Sequence, residues 1–335
     1  MMVVAMAAAA AVLGSTTFAT PSIAKERDYA PINRPGPDLS IPPDKLAKSL
    51  NCTADAARAT QKVALFVPGT SFTPEVNYGW NWFPALRDRG IPYCSVQLPR
   101  RALGDAQISA EYVVHAIRQV HRVSGHQVAL VGHSQGGLVA RFALRFWPDL
   151  RPMVDDYISF GATNHGGITG DLACVPAVGC PPATSQQRLT AKFVEATNSG
   201  QETFGGISYT NVYTRADEIA QPNLNDHGTS SLHGPGRITN VAVQDLCPLS
   251  LATEHLAVGT YDPAAYALAI DALTHDGPAT LERTSQQACA TTYMPGVDPN
   301  AFAGNYASLV TSLATGLASF PRATREPSLK PYVFS

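Results

Sequence analysis

The sequence predicts an α/β fold, in which a mostly parallel sheet is covered by helices on both faces. Short apolar runs alternate along the chain with segments of helical spacing, and these runs lack a polar face. The 335 residues are 45% hydrophobic and only 15% charged. A chain of this size and composition can bury a sizeable core as one unit.

The predicted elements follow one another as strand, helix and strand. The run Lys62–Val67 closes at a Pro-Gly turn, and Val128–Val131 is apolar throughout, as expected where both faces of a strand are covered. The predicted strands are Lys62–Val67, Tyr93–Gln97, Val128–Val131, Asp156–Phe160, Thr210–Tyr213 and Ile238–Val243, and the predicted helices are Ser109–Val123, Leu138–Phe146 and Pro263–Leu273.

The first 50 residues differ from the rest of the chain. Residues 1–24 are rich in Ala and Val and end in small-residue triplets, which is typical of a secretory signal, although no Lys or Arg precedes the apolar run. The alternative is a membrane anchor, but the run is too short and too polar to span a bilayer. Residues 25–50 hold five prolines, so we expect an extended or loosely ordered arm before a folded domain of residues 51–335.

One connection is long for a compact domain. About fifty residues rich in Gly, Pro, Thr and Gln separate the strands that end near Phe160 and Tyr213. Such segments often form lids or pocket walls, and the alternative is a tolerated surface insertion.

Charge and cysteine content limit the partners. A net charge of -2 and a pI near 6.5 argue against nucleic acid, and no obligate protein partner is evident. The six cysteines show no CxxC or Cys/His metal spacing. Disulfides are expected if the chain is exported, but six cysteines allow 15 pairings.

A serine lies between glycines in Gly132-His133-Ser134-Gln135-Gly136, which fits the G-x-S-x-G pattern. An apolar strand precedes it and a helix follows it, as in an elbow that presents a nucleophilic serine at the edge of a sheet. The small glycines let the backbone pass through such a tight turn. We therefore predict that Ser134 is a nucleophile, against the alternative of an ordinary strand–helix glycine turn.

A serine nucleophile needs a base and an acid, which in this arrangement follow it in the order acid, then histidine, after later strands. Asp217 follows the strand at 210–213 and is the preferred acid, and Asp245, which also follows a strand, is its main rival. His255 follows the strand at 238–243 and is preferred as the base over His275, which comes after the next helix. Asp226 and Asp262 are further candidates for the acid.

When a serine attacks a carbonyl group, negative charge develops on the carbonyl oxygen, and two hydrogen-bond donors are needed to stabilise it. We assign them to the backbone N–H of Gln135 and to Thr70 in the VPGT loop, whose alternative role is a plain turn. Trp80 and Trp82 follow this loop and are predicted to line the substrate pocket, with core or rim positions as the alternative.

With these motifs, the chain resembles the Candida antarctica lipase B type of α/β-hydrolase. We expect it to be a secreted bacterial relative of that type. The likeness extends from about Cys52 to Cys289 and includes VPGT, SQGGLVA, PATSQQ, and NVY followed by ADEIAQP, in that order. It implies an α/β-hydrolase fold, in which we expect the long connection described above to be a lid-like insertion. It also implies the roles already assigned above to the serine, the aspartate, the histidine and the two donors.

The resemblance further implies disulfides between Cys52 and Cys94 and between Cys247 and Cys289. The remaining pair, Cys174 and Cys180, lies in the long insertion, where the chain departs from the fungal type. A second departure lies at residues 163–167, where the fungal type carries a pocket aspartate. We place Asn164 and His165 at the pocket on this basis.

The resulting interpretation is a secreted serine hydrolase of carboxylic esters, free or held at the cell wall. A triacylglycerol lipase acting through an acyl-enzyme on Ser134, with transient contact to a lipid interface, is favoured. The alternatives are a short-chain carboxylesterase, an acyltransferase with the same residues, and a non-catalytic cell-surface binding protein on the same fold. No metal or organic cofactor is implied.

Overall fold

The computed structural model describes residues 28–335, so the predicted signal at residues 1–24 and the first residues of the predicted arm lie outside the described part. A seven-stranded sheet runs through the centre in the order β1-β3-β2-β4-β5-β6-β7. The strands are β1 (Leu50–Cys52), β2 (Val63–Val67), β3 (Tyr93–Val96), β4 (Val128–His133), β5 (Val154–Phe160), β6 (Ser208–Tyr213) and β7 (Arg237–Ala242).

The sheet is parallel except at one edge. All neighbouring pairs from β3 to β7 run parallel, and only the short β1 is antiparallel to its neighbour β3. This confirms the predicted α/β class. The six predicted strands are all present, with boundaries that differ by one or two residues at several ends.

Helices connect the strands and cover both faces. Within residues 28–335, none of them is long and apolar enough to cross a membrane. The helices are α1 (Pro43–Ser49), α2 (Pro74–Tyr78), α3 (Trp82–Asp88), α4 (Ala106–Ser124), α5 (Gln135–Phe146), α6 (Ile168–Ala173), α7 (Pro182–Ser185), α8 (Lys192–Asn198), α9 (Val243–Leu246), α10 (His255–Thr260), α11 (Pro263–Thr274) and α12 (Phe302–Ser319).

Side chains of the central strands alternate between two cores because successive residues of a strand point to opposite faces. In β2, Leu65 and Val67 join the core covered by α4 and α5, while Ala64 and Phe66 join the core covered by α3 and α11. All five residues of this strand are fully buried. The absence of a polar face, read from the sequence, follows from this double burial.

The expectation of a loosely ordered arm is wrong for residues 28–50. Residues 43–49 form α1, whose Leu46 is buried, and β1 begins at residue 50 inside the predicted arm. Further upstream, the indole N–H of Trp147 donates to Pro37 O (2.9 Å), and both oxygens of the Glu111 carboxylate accept hydrogen bonds from Ser40. Prolines predict the extended backbone of this segment, but buried partners on the domain hold it in place.

Three disulfides use all six cysteines, with the pairing that the resemblance implies. Cys52–Cys94 joins the paired edge strands β1 and β3. Cys247–Cys289 ties the end of α9 to a short 3₁₀ turn at residues 286–290. Cys174–Cys180 closes a small loop directly after α6, inside the long insertion.

The insertion, residues 161–207, contains the short helices α6, α7 and α8. A further helix, α12, lies near the C-terminus and was not predicted. Its apolar stripe of Leu309, Leu313 and Leu317 was a usable signal, because residues four apart share one face of a helix.

The close contact between β2 and α5 gives a test of the fold. A methyl group at Gly136 would collide with the carbonyl oxygen of Val67 and lie 2.9 Å from that of Pro68. Because both obstacles are backbone atoms, we expect Gly136→Ala to lower the free energy of unfolding by about 1–3 kcal/mol or more, measured by urea titration.

Gly304→Ala is the matched control for this substitution. Gly304 lies in α12, where an added methyl group meets nothing within 4 Å. We expect this variant to be as stable as the parent or more stable by about 0.5–1 kcal/mol, because alanine favours a helix over glycine. Equal stability of the Gly136 and Gly304 variants would contradict the close packing of α5 on β2.

Candidate active site

Ser134 occupies the sharp turn between β4 and α5. Its backbone has φ 54° and ψ −124°, a left-handed conformation that is costly for a residue with a side chain. The backbone N–H of Ser134 donates to Phe160 O at 2.8 Å, which ties the turn to the end of the neighbouring strand β5. This geometry presents the hydroxyl at the carboxyl edge of the sheet.

A continuous hydrogen-bonded chain joins Ser134, His255 and Asp217. The distance from Ser134 Oγ to His255 Nε2 is 2.9 Å, and His255 Nδ1 lies 2.9 and 3.0 Å from the two oxygens of Asp217. All three side chains are buried. The structure thus brings together three residues that are up to 121 positions apart in the sequence.

The loop after β6 holds the Asp217 carboxylate in position. Its Oδ1 accepts hydrogen bonds from the backbone N–H groups of Ile219 (2.9 Å) and Ala220 (2.6 Å). Gly161 lies against the pair, since a methyl group there would be 3.1 Å from His255 Nδ1 and 3.2 Å from Asp217 Oδ2. The carboxylate is therefore both hydrogen-bonded and packed, so its orientation toward the imidazole is fixed.

The pKa of His255 is raised by its acidic neighbours. Burial alone lowers this pKa, but the charges of Asp217, Glu218 and Glu254, together with the hydrogen bond to Asp217, outweigh burial. Glu218 also accepts a hydrogen bond from the backbone N–H of His255 at 3.0 Å. The site therefore favours a proton on this imidazole, as a base that takes the proton of a serine requires.

A second histidine, His133, lies beside His255 with the ring centroids 5.3 Å apart. Burial and the neighbouring His255 lower the pKa of His133 to about 3, so it stays neutral. Its Nδ1 accepts from Asn77 Nδ2 (3.1 Å) and its Nε2 donates to His255 O (3.2 Å). Asn77 also accepts from the N–H of Gly69 (3.0 Å), so this network supports the loops of Thr70 and His255. The sequence analysis did not identify this network of His133 and Asn77.

The two predicted donors for a developing oxyanion, Thr70 and Gln135, lie beside each other. The hydroxyl of Thr70 donates to Gln135 Oε1 at 2.8 Å, and Gln187 Nε2 donates to the Thr70 hydroxyl at 3.2 Å. Gln187 Oε1 in turn accepts from Thr163 Oγ1 at 3.1 Å. Among the described residues, no acceptor takes the backbone N–H of Thr70 or of Gln135, so both remain available to a ligand.

Ser134 and His255 open into a cavity of about 110 Å³. Its walls come from the loop of Thr70, from the insertion and from α12. Most of the lining side chains are uncharged. The lining residues are Thr70, Phe72, Ser134, Thr163, Gly167, Thr169, Gly170, Ala173, Thr184, Gln187, Ile219, His255, Leu256, Leu313 and Leu317.

The prediction that Trp80 and Trp82 line the pocket is wrong. Trp82 is 1% exposed, stacks on Phe160 with ring centroids 5.1 Å apart, and donates its indole N–H to Gly259 O at 3.1 Å. Trp80 donates to Val76 O and packs edge-on against Phe302. Neither indole lines the cavity, since Trp82 lies in the core and Trp80 is half-buried, which agrees with the alternative of core or rim positions.

The prediction that Asn164 and His165 lie at the pocket is also wrong. Asn164 is fully buried and donates from Nδ2 to Ser230 O at 2.9 Å. His165 lies 2.9 Å from Glu202 Oε1 and bonds the backbone of the 229 loop. The preceding residue, Thr163, faces the cavity instead.

The rival acids have other roles. Asp245 caps the start of α9 and pairs with Arg215, and Asp262 caps the start of α11. His275 pairs with Asp271 at the end of α11. Within residues 28–335, no group of three His, Cys, Asp or Glu side chains is placed to hold a metal ion.

Three comparisons relate this site and fold to known proteins. A family model described as palmitoyl protein thioesterase matches residues 98–224. Lipase B of Pseudozyma antarctica is 28% identical over 99% of this chain and 95% of its own length. The crystal structure of Aspergillus fumigatus lipase B superimposes with a TM-score of 0.81 and 27% identity, covering 92% of this chain and 76% of that one.

The similarity in sequence and in structure spans nearly the whole chain. The resemblance to lipase B read from the motifs is thereby confirmed, as is the α/β-hydrolase fold. The chain has the α/β-hydrolase fold and resembles lipase B, and this similarity supports a carboxylic ester hydrolase.

Proposed function

We propose that this protein is a secreted serine lipase that forms an acyl-enzyme on Ser134. The observation that carries the proposal is the hydrogen-bonded chain Asp217–His255–Ser134, which ends in an apolar cavity beside two free backbone donors. Buried imidazole, carboxylate and serine in this order have the geometry needed for acyl transfer.

In the first half of the reaction, Ser134 Oγ attacks the ester carbonyl carbon while His255 Nε2 takes the hydroxyl proton. The oxygen of the tetrahedral intermediate becomes negative and accepts hydrogen bonds from the N–H groups of Thr70 and Gln135. The C–O bond to the alcohol then breaks, and His255 returns the proton to the leaving alkoxide. Asp217 holds the imidazole with Nδ1 protonated, so that Nε2 is free to act as the base.

In the second half, water replaces the alcohol. His255 takes a proton from water, the resulting hydroxide attacks the acyl carbon, and the same two donors stabilise the second oxyanion. Collapse of this intermediate breaks the bond to Ser134 Oγ, which recovers its proton from His255. The products are an alcohol and a carboxylic acid, and the enzyme is regenerated.

The cavity favours an apolar acyl or alcohol group, because its walls carry leucine, isoleucine and phenylalanine side chains. Exposed apolar side chains lie in the insertion, close in sequence to the cavity-lining Ala173: Leu172 is 75%, Val178 55% and Val175 50% exposed. We therefore propose contact with the surface of an aggregated lipid substrate at this place.

The three disulfides support export to an oxidising compartment.

Removal of the serine hydroxyl tests the proposed chemistry. We expect Ser134→Ala to lower kcat for p-nitrophenyl butyrate by on the order of 10⁶, because within residues 28–335 no other hydroxyl is hydrogen-bonded to His255 Nε2. The parent protein, but not the variant, should be labelled by a serine-directed phosphonate. Comparable hydrolysis by both proteins would rule out Ser134 as the nucleophile.

The charge of Glu218 tests the pH dependence. The base must be neutral to accept a proton, so kcat/KM falls as pH drops below the pKa of His255. Since Glu218 raises this pKa, Glu218→Gln should lower it and extend activity to lower pH, while the amide oxygen can still accept the bond from the His255 backbone. The measurement is the acid limb of kcat/KM against pH.

Glu282→Gln serves as the control, since this glutamate is exposed in the segment after α11. Its acid limb should match that of the parent. An unchanged limb in the Glu218 variant would mean that this charge has no influence on the base.

The exposed side chains of the insertion test the lipid contact. We expect the double variant Leu172→Ser, Val178→Ser to hydrolyse emulsified triacylglycerol several-fold more slowly, because partial burial at a lipid interface gains only a fraction of the about 1.5–3 kcal/mol that full burial of one such side chain contributes. Hydrolysis of soluble p-nitrophenyl butyrate should be unchanged. Leu281→Ser, at another exposed leucine, is the control. Equal losses on both substrates would argue against a lipid contact.

A further inference from the structure

Helix α12 lies against two loops of the active site while most of its own surface is exposed. Of its 18 residues, only Leu309 and Gly316 are buried. We call residues 68–72, which contain Thr70, the oxyanion loop, and residues 247–255, which end in His255, the histidine loop. Besides the side chains that line the cavity, α12 makes hydrogen bonds and packing contacts with both of these loops.

The first contact is a reciprocal pair of hydrogen bonds between Ser71 and Ser312. The hydroxyl of Ser312 donates to the carbonyl oxygen of Ser71 at 2.8 Å, and the hydroxyl of Ser71 donates to the carbonyl oxygen of Ser312 at 2.5 Å. Ser71 follows Thr70 directly and has φ 71°, an unfavourable backbone conformation for serine. The helix therefore holds a strained residue next to a proposed oxyanion donor.

Gly316 sets the distance of this contact. A methyl group at this position would overlap the hydroxyl of Ser71 and lie 2.9 Å from its Cβ and 3.1 Å from Leu103 Cδ1. Glycine is unfavourable inside a helix, so its presence in α12 is explained by the close approach to the oxyanion loop. The helix cannot carry a larger side chain here without moving away from Ser71.

The other end of α12 reaches the histidine loop. The hydroxyl of Tyr306 donates to Glu254 Oε1 at 3.3 Å. Glu254 caps α10 by accepting from the backbone N–H groups of Leu256 (2.6 Å) and Ala257 (2.8 Å), one residue before the start of that helix at His255. Between these two anchors, Leu309 packs with Phe72 of the oxyanion loop and Leu256 of α10.

We propose that α12 is a brace, by which we mean that its contacts fix the position of the oxyanion loop relative to His255. Ser312 is the positioning residue of this brace. The proposal rests on the function proposed above for Thr70 and His255. Donors aimed at a developing charge act only if their positions are fixed before the reaction, and a displacement of about 1 Å costs on the order of 10² in rate. Ser312 does not line the cavity and contacts Ser71 instead, so it acts through the backbone of residues 70–71.

Ser312→Ala tests the brace by removing the bond to the carbonyl oxygen of Ser71. For p-nitrophenyl butyrate we expect kcat to fall by about tenfold with KM within about twofold of the parent, because the oxyanion forms only after substrate is bound. The rate of labelling by a serine-directed phosphonate should fall in parallel, since the phosphoryl oxygen occupies the same position as the oxyanion.

Ser319→Ala is the matched control on the same helix. Ser319 is exposed, and its hydroxyl donates to Thr315 O within α12. Its kcat, KM and labelling rate should equal those of the parent. The melting temperature is measured for both variants, so that a loss of folded protein is separated from a loss of rate.

Gly316→Ala provides a second test. The gain in helix propensity, about 1 kcal/mol, offsets part of the cost of the overlap with Ser71, and the melting temperature is measured so that a loss of folded protein is separated from a loss of rate. The added methyl group pushes α12 away from Ser71, and we expect kcat to fall at least as far as in Ser312→Ala.

Three results separate the possibilities. The proposal is overturned if Ser312→Ala and Gly316→Ala both keep the parent kcat and labelling rate while Ser134→Ala is inactive. It is also overturned if kcat falls only in proportion to the unfolded fraction, because Ser312 is then structural. If Ser134→Ala itself stays active, the proposed function fails first, and the brace loses its basis with it.

Discussion

The turn at Ser134 depends on how closely three backbone segments approach one another. Methyl groups at Gly132 or Gly137 would lie 2.6 to 2.7 Å from neighbouring atoms, and one at Gly136 would overlap the end of β2. Without side chains at these positions, α5 can start directly above β2 and β5, and the chain accepts a positive φ at Ser134. The location of the hydroxyl, and of everything that contacts it, follows from this packing.

Two histidines in contact have opposite electrostatic environments. His255 faces Asp217, Glu218 and Glu254, whose charges favour its protonated form. His133 is fully buried, and burial together with the neighbouring His255 lowers its pKa and keeps it uncharged. Because His133 stays neutral, an added proton is favoured on His255 and not on His133. Environments that separate the pKa values of adjacent groups in this way are typical of sites with assigned acid and base roles.

The cavity is assembled from parts of the chain that have no common sequence signal. Thr163 and Gln187 come from the insertion, and they form with Thr70 a chain of hydrogen bonds that ends at Gln135. The opposite wall comes from α12, close to the C-terminus. The central sheet thus positions the reacting groups, while the insertion and the last helix determine the shape of the space in front of them.

The sequence by itself determined the α/β class, the order of the strands along the chain and the turn at Ser134, because all three are encoded in local periodicity and in nearby glycines. The position of Asp217 after a strand did not separate it clearly from Asp245, since both follow strands, and the structure adds that Asp245 pairs with Arg215 while Asp217 hydrogen-bonds His255. The predictions for Trp82 and Asn164 failed for the same reason: which way a side chain points at the end of a loop depends on distant partners. The contact between Ser71 and Ser312 joins residues 241 positions apart. Only the tertiary structure decides such contacts, because local sequence specifies the elements but not which of their surfaces meet.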